Sequence, residues 1–336
     1  MSRQIRLAAR PSGEIKDSDF ELVEAPIPDP GVGEFVVEVT HLSIDPAMRG
    51  WMNAGRSYIA PVGVGEVMRA GGLGRVLKSR HDGFAEGDLV QGMFGVQEHA
   101  LSGGAGVNKI TPADGVSLPA YLGTLGMTGL TAYFGLLDVG RMEEGDTVLV
   151  SGAAGAVGTV VGQIAKIKGG RAVGVAGGAE KCRMLVEELG FDAAVDYKSD
   201  DFPAELRHQT SDHLDVFFDN VGGEVLNLGL TRLARGARVV ICGAVSQYNN
   251  AGPMSGPSNY IMLLVARASM TGFLIFDYAD RYAEALEEMS GWFAEGKLRS
   301  VEDTVQDDIA AFPKMLGRLF AGQNTGKLVL ELTGAG

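Results

Sequence analysis

Three glycines, Gly152, Gly155 and Gly158, are spaced through the run Ser-Gly-Ala-Ala-Gly-Ala-Val-Gly at 151–158. That spacing suits the pyrophosphate of a dinucleotide. Gly152 allows a tight turn, Gly155 lets backbone approach the phosphates, and Gly158 lets a following helix pack close to the strand. The first amides of that helix then point at the anion. Ala153 replaces one glycine of the usual fingerprint, and in a chain with 49 glycines the spacing needs its context. That context is present: the apolar run Val148–Val150 reads as a buried strand, and Val160–Lys168 reads as a helix.

The cofactor's identity is read from the end of the next strand. An NAD site commonly places Asp or Glu there, on the ribose hydroxyls. Here the run ends Val175-Ala176-Gly177-Gly178, with Lys181 following on a helix. A 2′-phosphate meets no carboxylate at that tip, and the Gly177 amides and the Lys181 ammonium attract it. Tyr197 and Lys198, after the third strand, add a hydroxyl and a second charge. The expected cofactor is therefore NADP(H). Glu180 is the objection, since a tighter turn would bring its carboxylate to the ribose.

Hydride chemistry also needs a group that stabilises charge developing on the substrate. A phenol is a suitable donor, and Tyr58 and Tyr260 are the candidates, with Tyr248 assigned to the cofactor. No metal is expected to help. Cys182 and Cys242 have no C-x-x-C partners, and His41, His81, His99, His208 and His213 are scattered. A nucleophile elbow of the form Gly-x-Ser-x-Gly is absent, which argues against a covalent route.

These residues require a scaffold. From Thr147 onward short apolar runs alternate with helical patterns. The runs are Val148–Val150, Ala172–Ala176, Ala193–Asp196, Leu214–Asp219, Arg238–Cys242 and Met270–Ile275, and the helices include Glu180–Leu189 and Gly223–Leu233. This is the pattern of an α/β doubly wound parallel sheet of six strands, a Rossmann fold. The first 120 residues instead show turn clusters and β-rich runs such as Phe35–Ile44, Gly74–Leu77 and Asp88–Met93, with no regular helix. An amphipathic helix at Arg281–Glu295 precedes a run at Val301–Val305, a helix near Ile309–Ala321 and a last strand, Lys327–Leu332. That tail is expected to return to the first domain.

Composition sets limits. The chain has 336 residues, 46% of them hydrophobic and 21% charged, with a net charge of −13. The acidic balance argues against nucleic acid or an anionic membrane as partner. No apolar run is long enough to span a bilayer, the start lacks a signal-peptide core, and two cysteines make no disulfide framework. The expected location is cytoplasmic.

Together the motifs resemble those of the zinc-independent medium-chain dehydrogenase/reductases, most closely the leukotriene/prostaglandin reductase and curcumin-reductase-like branch. The matching pieces are 42–50 (Leu-Ser-Ile-Asp-Pro-Ala-Met-Arg-Gly), 126–133 (Gly-Met-Thr-Gly-Leu-Thr-Ala-Tyr), 151–158, 218–223 (Phe-Asp-Asn-Val-Gly-Gly), 242–249 (Cys-Gly-Ala-Val-Ser-Gln-Tyr-Asn) and 324–327 (Asn-Thr-Gly-Lys). The resemblance implies a GroES-like barrel domain at 1–123 and 293–336 and a Rossmann domain at 124–292. It implies that Ala154, Gly155, Ala156 and Val157 cradle the pyrophosphate, and that Lys181 and Tyr197 meet the 2′-phosphate. It places Asn220, the segment Cys242, Gly243, Ala244, Val245, Ser246, Gln247 and Tyr248, then Phe273, Leu274 and Ile275, and Asn324, along the ribose and nicotinamide. Met127 and Thr128 fall beside the nicotinamide at the domain junction.

The activity implied is NADPH-dependent reduction of the C=C bond of an α,β-unsaturated ketone or aldehyde. The substrate would be a small conjugated carbonyl, and the assembly a homodimer. Quinone reduction, or an inactive nucleotide-binding sensor, are the alternatives. Ala47, Gly71 and Val265 stand where many members carry tyrosine, which implies a roomier, less polar pocket.

Overall fold

The computed structural model describes residues 1–252 and 254–334, and its contacts divide the chain into two units. One comprises Met1–Leu122, Asn249–Ala251 and the segment from Glu302 on; the other comprises Gly123–Tyr248 and Gly252–Val301.

The first unit begins with β1 (Ser2–Leu7) and β2 (Phe20–Ala25), an antiparallel pair. Then come β3 (Phe35–Ser43), α1 (Ala47–Trp51), β4 (Gly72–Ser79), β5 (Leu89–Gly92), β6 (His99–Ser102) and β7 (Asn108–Lys109). After the second unit the chain returns as β14 (Glu302–Asp307), α9 (Phe312–Phe320) and β15 (Lys327–Leu332). The larger sheet of this unit has seven strands, in the order β14-β15-β3-β4-β5-β7 with β6 on β3. Only its β14–β15 pair is parallel. Its interior is filled by Phe35, Val37, Leu42, Met48, Met52, Phe312 and Leu330.

Here a helix stands where none was expected. Pro46 fixes φ at the head of α1, and five residues then place Met48 and Trp51 on the buried side. So short a helix carries no 3.6-residue periodicity to be read from sequence. Lys327 is 1% exposed, and its ammonium donates to the Ile44 and Leu328 carbonyls and to the Asp45 carboxylate. All three of its donors are satisfied, which is what allows a buried charge there.

The second unit runs α2 (Met127–Phe134), β8 (Thr147–Ser151), α3 (Ala156–Ile167), β9 (Arg171–Ala176), α4 (Ala179–Glu187), β10 (Ala193–Asp196) and α5 (Phe202–Gln209). It continues with β11 (Leu214–Asp219), α6 (Gly223–Leu230), β12 (Leu233–Ile241), α7 (Ile261–Ala266), β13 (Ser269–Gly272) and α8 (Tyr282–Ala294). The six strands are all parallel and ordered β10-β9-β8-β11-β12-β13. This is the doubly wound order, with the switch point between β8 and β11.

Several boundaries differ from the sequence expectation, among them the start of β12, at Leu233 rather than Arg238. Helix α3 starts at Ala156 rather than Val160, because the small residues of its first turn carry no apolar stripe. Helix α6 ends at Leu230, and Leu233 already pairs with Leu214 in the sheet. The last strand is Ser269–Gly272 rather than Met270–Ile275. Its partner β12 ends at Ile241, opposite Gly272, so no ladder remains for Phe273 onward. The Phe273 ring packs edge-on against Phe218, 6.5 Å between centroids.

Candidate functional site

At the carboxyl edge of the parallel sheet, the register sets Ser151 beside Val175 and Asp219 beside Ile241. The turn after β8 runs through Gly152, whose φ of +59° suits glycine. The Ala153 amide donates to the Val175 carbonyl at 3.0 Å, and the Gly155 amide to the Gly152 carbonyl at 2.9 Å. Helix α3 then begins at N-cap Gly155, and no side chain caps it. A Cβ on Gly158 would lie 2.3 Å from the Gly152 carbonyl oxygen, so the helix start presses directly on the turn. Ala154 is buried, whereas Gly155, Ala156 and Val157 are half-buried. An uncapped helix start behind a glycine turn at a switch point is a fitting seat for a pyrophosphate.

The β9 tip carries Gly177 and Gly178. A Cβ on Gly177 would come within 2.8 Å of the Tyr197 ring. Glycine there is what lets the ring, 47% exposed, lie against the turn. Lys181 is in the first turn of α4, beside the helix's positive end. A cation there opposes the helix dipole, and an anion would relieve that opposition. The sequence showed no carboxylate at this tip, yet Asp196 from the end of β10 reaches it. Its Oδ1 accepts the Gly178 amide at 2.8 Å and the Lys198 amide at 2.9 Å. The Gly178 amide is thereby committed to the protein.

Across the switch point, the Asn220 side-chain amide donates to the Ser151 carbonyl at 2.8 Å, and its backbone amide to Ser151 Oγ at 2.8 Å. The Cys242 and Gly243 amides donate to the Asp219 carbonyl, and the Val245 amide to that of Asn220. Ser246 Oγ donates to the Val221 carbonyl at 2.6 Å. The Tyr248 hydroxyl accepts the Ala244 amide at 3.1 Å, and Gln247 bonds Ser255 in both directions. The segment 242–248 is thus tied to 219–221. Burial and the Asp219 carboxylate push the Cys242 thiol up to about 12, so it is no nucleophile near neutral pH.

Other predicted residues in this unit have structural partners. Thr128 Oγ1 donates to the Gly123 carbonyl at 2.9 Å. Met127, 38% exposed, lies 4.0 Å from the Tyr282 hydroxyl. The Ile275 carbonyl accepts that same hydroxyl at 2.9 Å. Leu274 is the extended residue ahead of a 3₁₀ turn. Tyr260 stands at the head of α7 and is 65% exposed.

Tyr58 and Asn324 belong to the first unit. The Trp51 indole N–H donates to the Tyr58 hydroxyl at 3.0 Å, and the Asn324 amide donates to the Gly326 carbonyl at 2.9 Å. Among the described residues, no three of His, Cys, Asp and Glu come together as metal ligands.

Sequence reasoning missed Ser151, Asp196 and Asp219. The available signal was polar closure: the runs 147–151, 193–196 and 214–219 each end in one polar side chain.

Residues 3–110 match the family described as the N-terminal domain of oxidoreductase, and residues 156–291 the one described as zinc-binding dehydrogenase. The chain is 40% identical to the NADPH-dependent curcumin reductase of Escherichia coli (strain K12), over 99% of this chain and 97% of the relative. It is 38% identical to the NADP(+)-dependent 2-alkenal reductase of Nicotiana tabacum, over 99% and 98%. The crystal structure of CurA from Vibrio vulnificus in complex with NADPH superposes with a TM-score of 0.93 at 41% identity, covering 98% of this chain and 99% of that one.

Proposed function

Because this chain belongs to the medium-chain dehydrogenase/reductase family, within its prostaglandin- and curcumin-reductase branch, we propose that it is an NADPH-dependent reductase of the C=C bond of α,β-unsaturated ketones and aldehydes. When bound, NADPH supplies a hydride that enters the substrate at its β-carbon. The observation that carries this reading is the carboxyl edge of the parallel sheet, where the glycine turn and uncapped helix start after β8 stand beside the glycine tip of β9 and the helix that carries Lys181. In this reading the first unit is the substrate domain and the second the cofactor domain.

The chain's own residues bind, orient and supply a proton donor. The α3 amides hold the pyrophosphate, Lys181 and Tyr197 hold the 2′-phosphate, and the segments at 220 and 242–248 hold the nicotinamide side. A phenol, Tyr260, donates to the substrate carbonyl oxygen as charge accumulates there. Tyr58 is a second reading of that role, favoured by the Trp51 N–H that orients its oxygen.

Lys181→Ala should weaken NADPH binding by about 1–3 kcal/mol, the scale of one charge-assisted hydrogen bond. Titrations should leave NADH binding unchanged, whereas equal weakening of both cofactors would make Lys181 merely structural. The reaction is proposed to run without zinc. Exhaustive chelation should leave the rate on an enone intact, and activity lost with stoichiometric zinc would contradict this.

The proposed assembly is a homodimer. Support comes from β13, a sheet edge whose four residues are all exposed, next to Ile261, Leu264 and Val265 exposed on α7. An exposed edge strand, with its outer N–H and C=O groups unpaired, is a ready template for a second chain. The proposed location is the cytoplasm, in keeping with two cysteines that form no disulfide. Among the described residues no helix is long and apolar enough to cross a membrane.

The proposal is tested by following NADPH oxidation across a panel of enals, enones and quinones. Turnover of conjugated carbonyls supports it. Turnover of quinones alone would make the protein a quinone reductase, and tight NADPH binding with no turnover would make it a sensor.

A further inference from the structure

The two strands that flank the switch point both end in fully buried polar side chains, Ser151 on β8 and Asp219 on β11, each 0% exposed. The residues paired just before them are all apolar, with Val148, Leu149 and Val150 beside Val216, Phe217 and Phe218 in register. A carboxylate in that setting needs hydrogen-bond donors or a countercharge to offset its desolvation. Its partners are specific. Asp219 Oδ1 accepts the Ser151 hydroxyl at 2.6 Å and the Val221 and Gly222 amides at 3.1 Å, and Oδ2 accepts the Gly222 amide at 3.0 Å. Burial raises the carboxyl above its ordinary range, and these donors oppose that rise. Every partner is a donor, so the arrangement is built for the ionised form.

Ser151 is more than a terminus of this network. While donating to Asp219 it accepts the Asn220 amide, and its own carbonyl accepts the Asn220 side chain. The next residue is Gly152, where the phosphate turn begins. From the Asp219 backbone, the carbonyl takes the Cys242 and Gly243 amides at 2.9 and 3.2 Å. One residue therefore joins three loops: 152–155, 220–222 and 242–248. The first belongs to the pyrophosphate half of the proposed cofactor site, and the other two to the nicotinamide half.

We infer that Asp219 is a positioning residue. Acting through Ser151 and the 221–222 amides, its buried carboxylate fixes the spacing between the phosphate turn and the nicotinamide-side loops, so that one dinucleotide engages both. The inference rests on the NADPH reading above and adds a residue that need not touch the cofactor. It distinguishes the whole dinucleotide from its adenosine end. NADPH must satisfy both halves at once, while a fragment that ends at its 5′-phosphate reaches the 2′-phosphate site and the phosphate turn but not the nicotinamide-side loops, and so does not sense the spacing between them.

The test is equilibrium binding to the full chain by calorimetry, with NADPH and with adenosine 2′,5′-bisphosphate as probes. Asp219→Asn keeps an acceptor for the loop amides but loses the charge and one lone-pair set. Ser151→Ala removes the hydroxyl that joins Asp219 to the strand before the phosphate turn, together with the acceptor of the Asn220 amide; it keeps the carboxylate's amide donors, so it serves where the Asp219 variant fails to fold. Either variant should raise the NADPH Kd by roughly ten-fold, the lower end for losing a hydrogen bond to a charged group. The adenosine bisphosphate Kd should stay as in the unsubstituted protein, and kcat should recover at saturating NADPH while KM for NADPH stays high. NADPH binding that is unchanged in the folded variants, or both probes weakened by the same factor, overturns the inference alone. No NADPH binding by the unsubstituted protein overturns it together with the reading on which it rests.

Discussion

Replacing Tyr260 by phenylalanine should cut turnover of an enone by roughly ten- to a thousand-fold, the range for loss of one oxyanion donor, while NADPH binding is unchanged. Reduction at the β-carbon places negative charge on the carbonyl oxygen. With no metal in the proposed mechanism, a hydrogen-bond donor has to hold that charge. Tyr260, at the head of α7, presents a phenol whose residue is mostly exposed. Stopped-flow reduction rates for Tyr260→Phe and Tyr58→Phe assign the role. A fall only in Tyr58→Phe would give it to the phenol that the Trp51 N–H orients. No fall in either variant, or in the double variant, would remove phenols from the mechanism.

Gly158→Ala should be nearly as damaging, through binding rather than chemistry. A single methyl there would sit 2.3 Å from the Gly152 carbonyl oxygen and 2.7 Å from Ala153 Cα. Both neighbours are backbone, so no flexible side chain can move aside. Relief requires α3 to move away from the phosphate turn. Overpacking of this kind costs about 1–3 kcal/mol of stability, and the turn's geometry is lost with it. The expected result is a lower melting temperature and an NADPH Kd raised by at least about ten-fold, the factor that 1.4 kcal/mol represents. A variant that binds NADPH normally would show that the contact between helix start and turn does not set the cradle.

Much of the second unit was legible because its signals are local. Strands β8, β9 and β11 are mostly apolar runs, and the glycines at 152, 155 and 158 mark where strand gives way to helix. The parts that were not legible depend on contacts distant in sequence. Asp196 reaches the Gly178 amide across a strand pairing, and nothing near Gly178 in the sequence announces it. Asp219 meets Ser151 from 68 positions away. The shortened last strand reflects where its partner β12 stops, which is a property of the pair rather than of Phe273. Helix α1 escaped because five residues make little more than one turn. Residues carried over from the family resemblance gave places rather than contacts. The Asn220 amide turned out to be bound to Ser151, and Thr128 to the Gly123 carbonyl.

The central claim is that the double bond, and not the carbonyl, is reduced. Direct attack at a carbonyl carbon would build an alkoxide, which the zinc-free mechanism proposed above stabilises poorly. Attack at the β-carbon delocalises the charge into an enolate, which a single hydrogen-bond donor such as a phenol can stabilise. Reduction of an α,β-unsaturated ketone with NADPH deuterated at the transferring position, followed by NMR of the product, decides between them. Deuterium at the β-carbon of a saturated ketone is the result expected, and deuterium on the carbinol carbon of an allylic alcohol would contradict it.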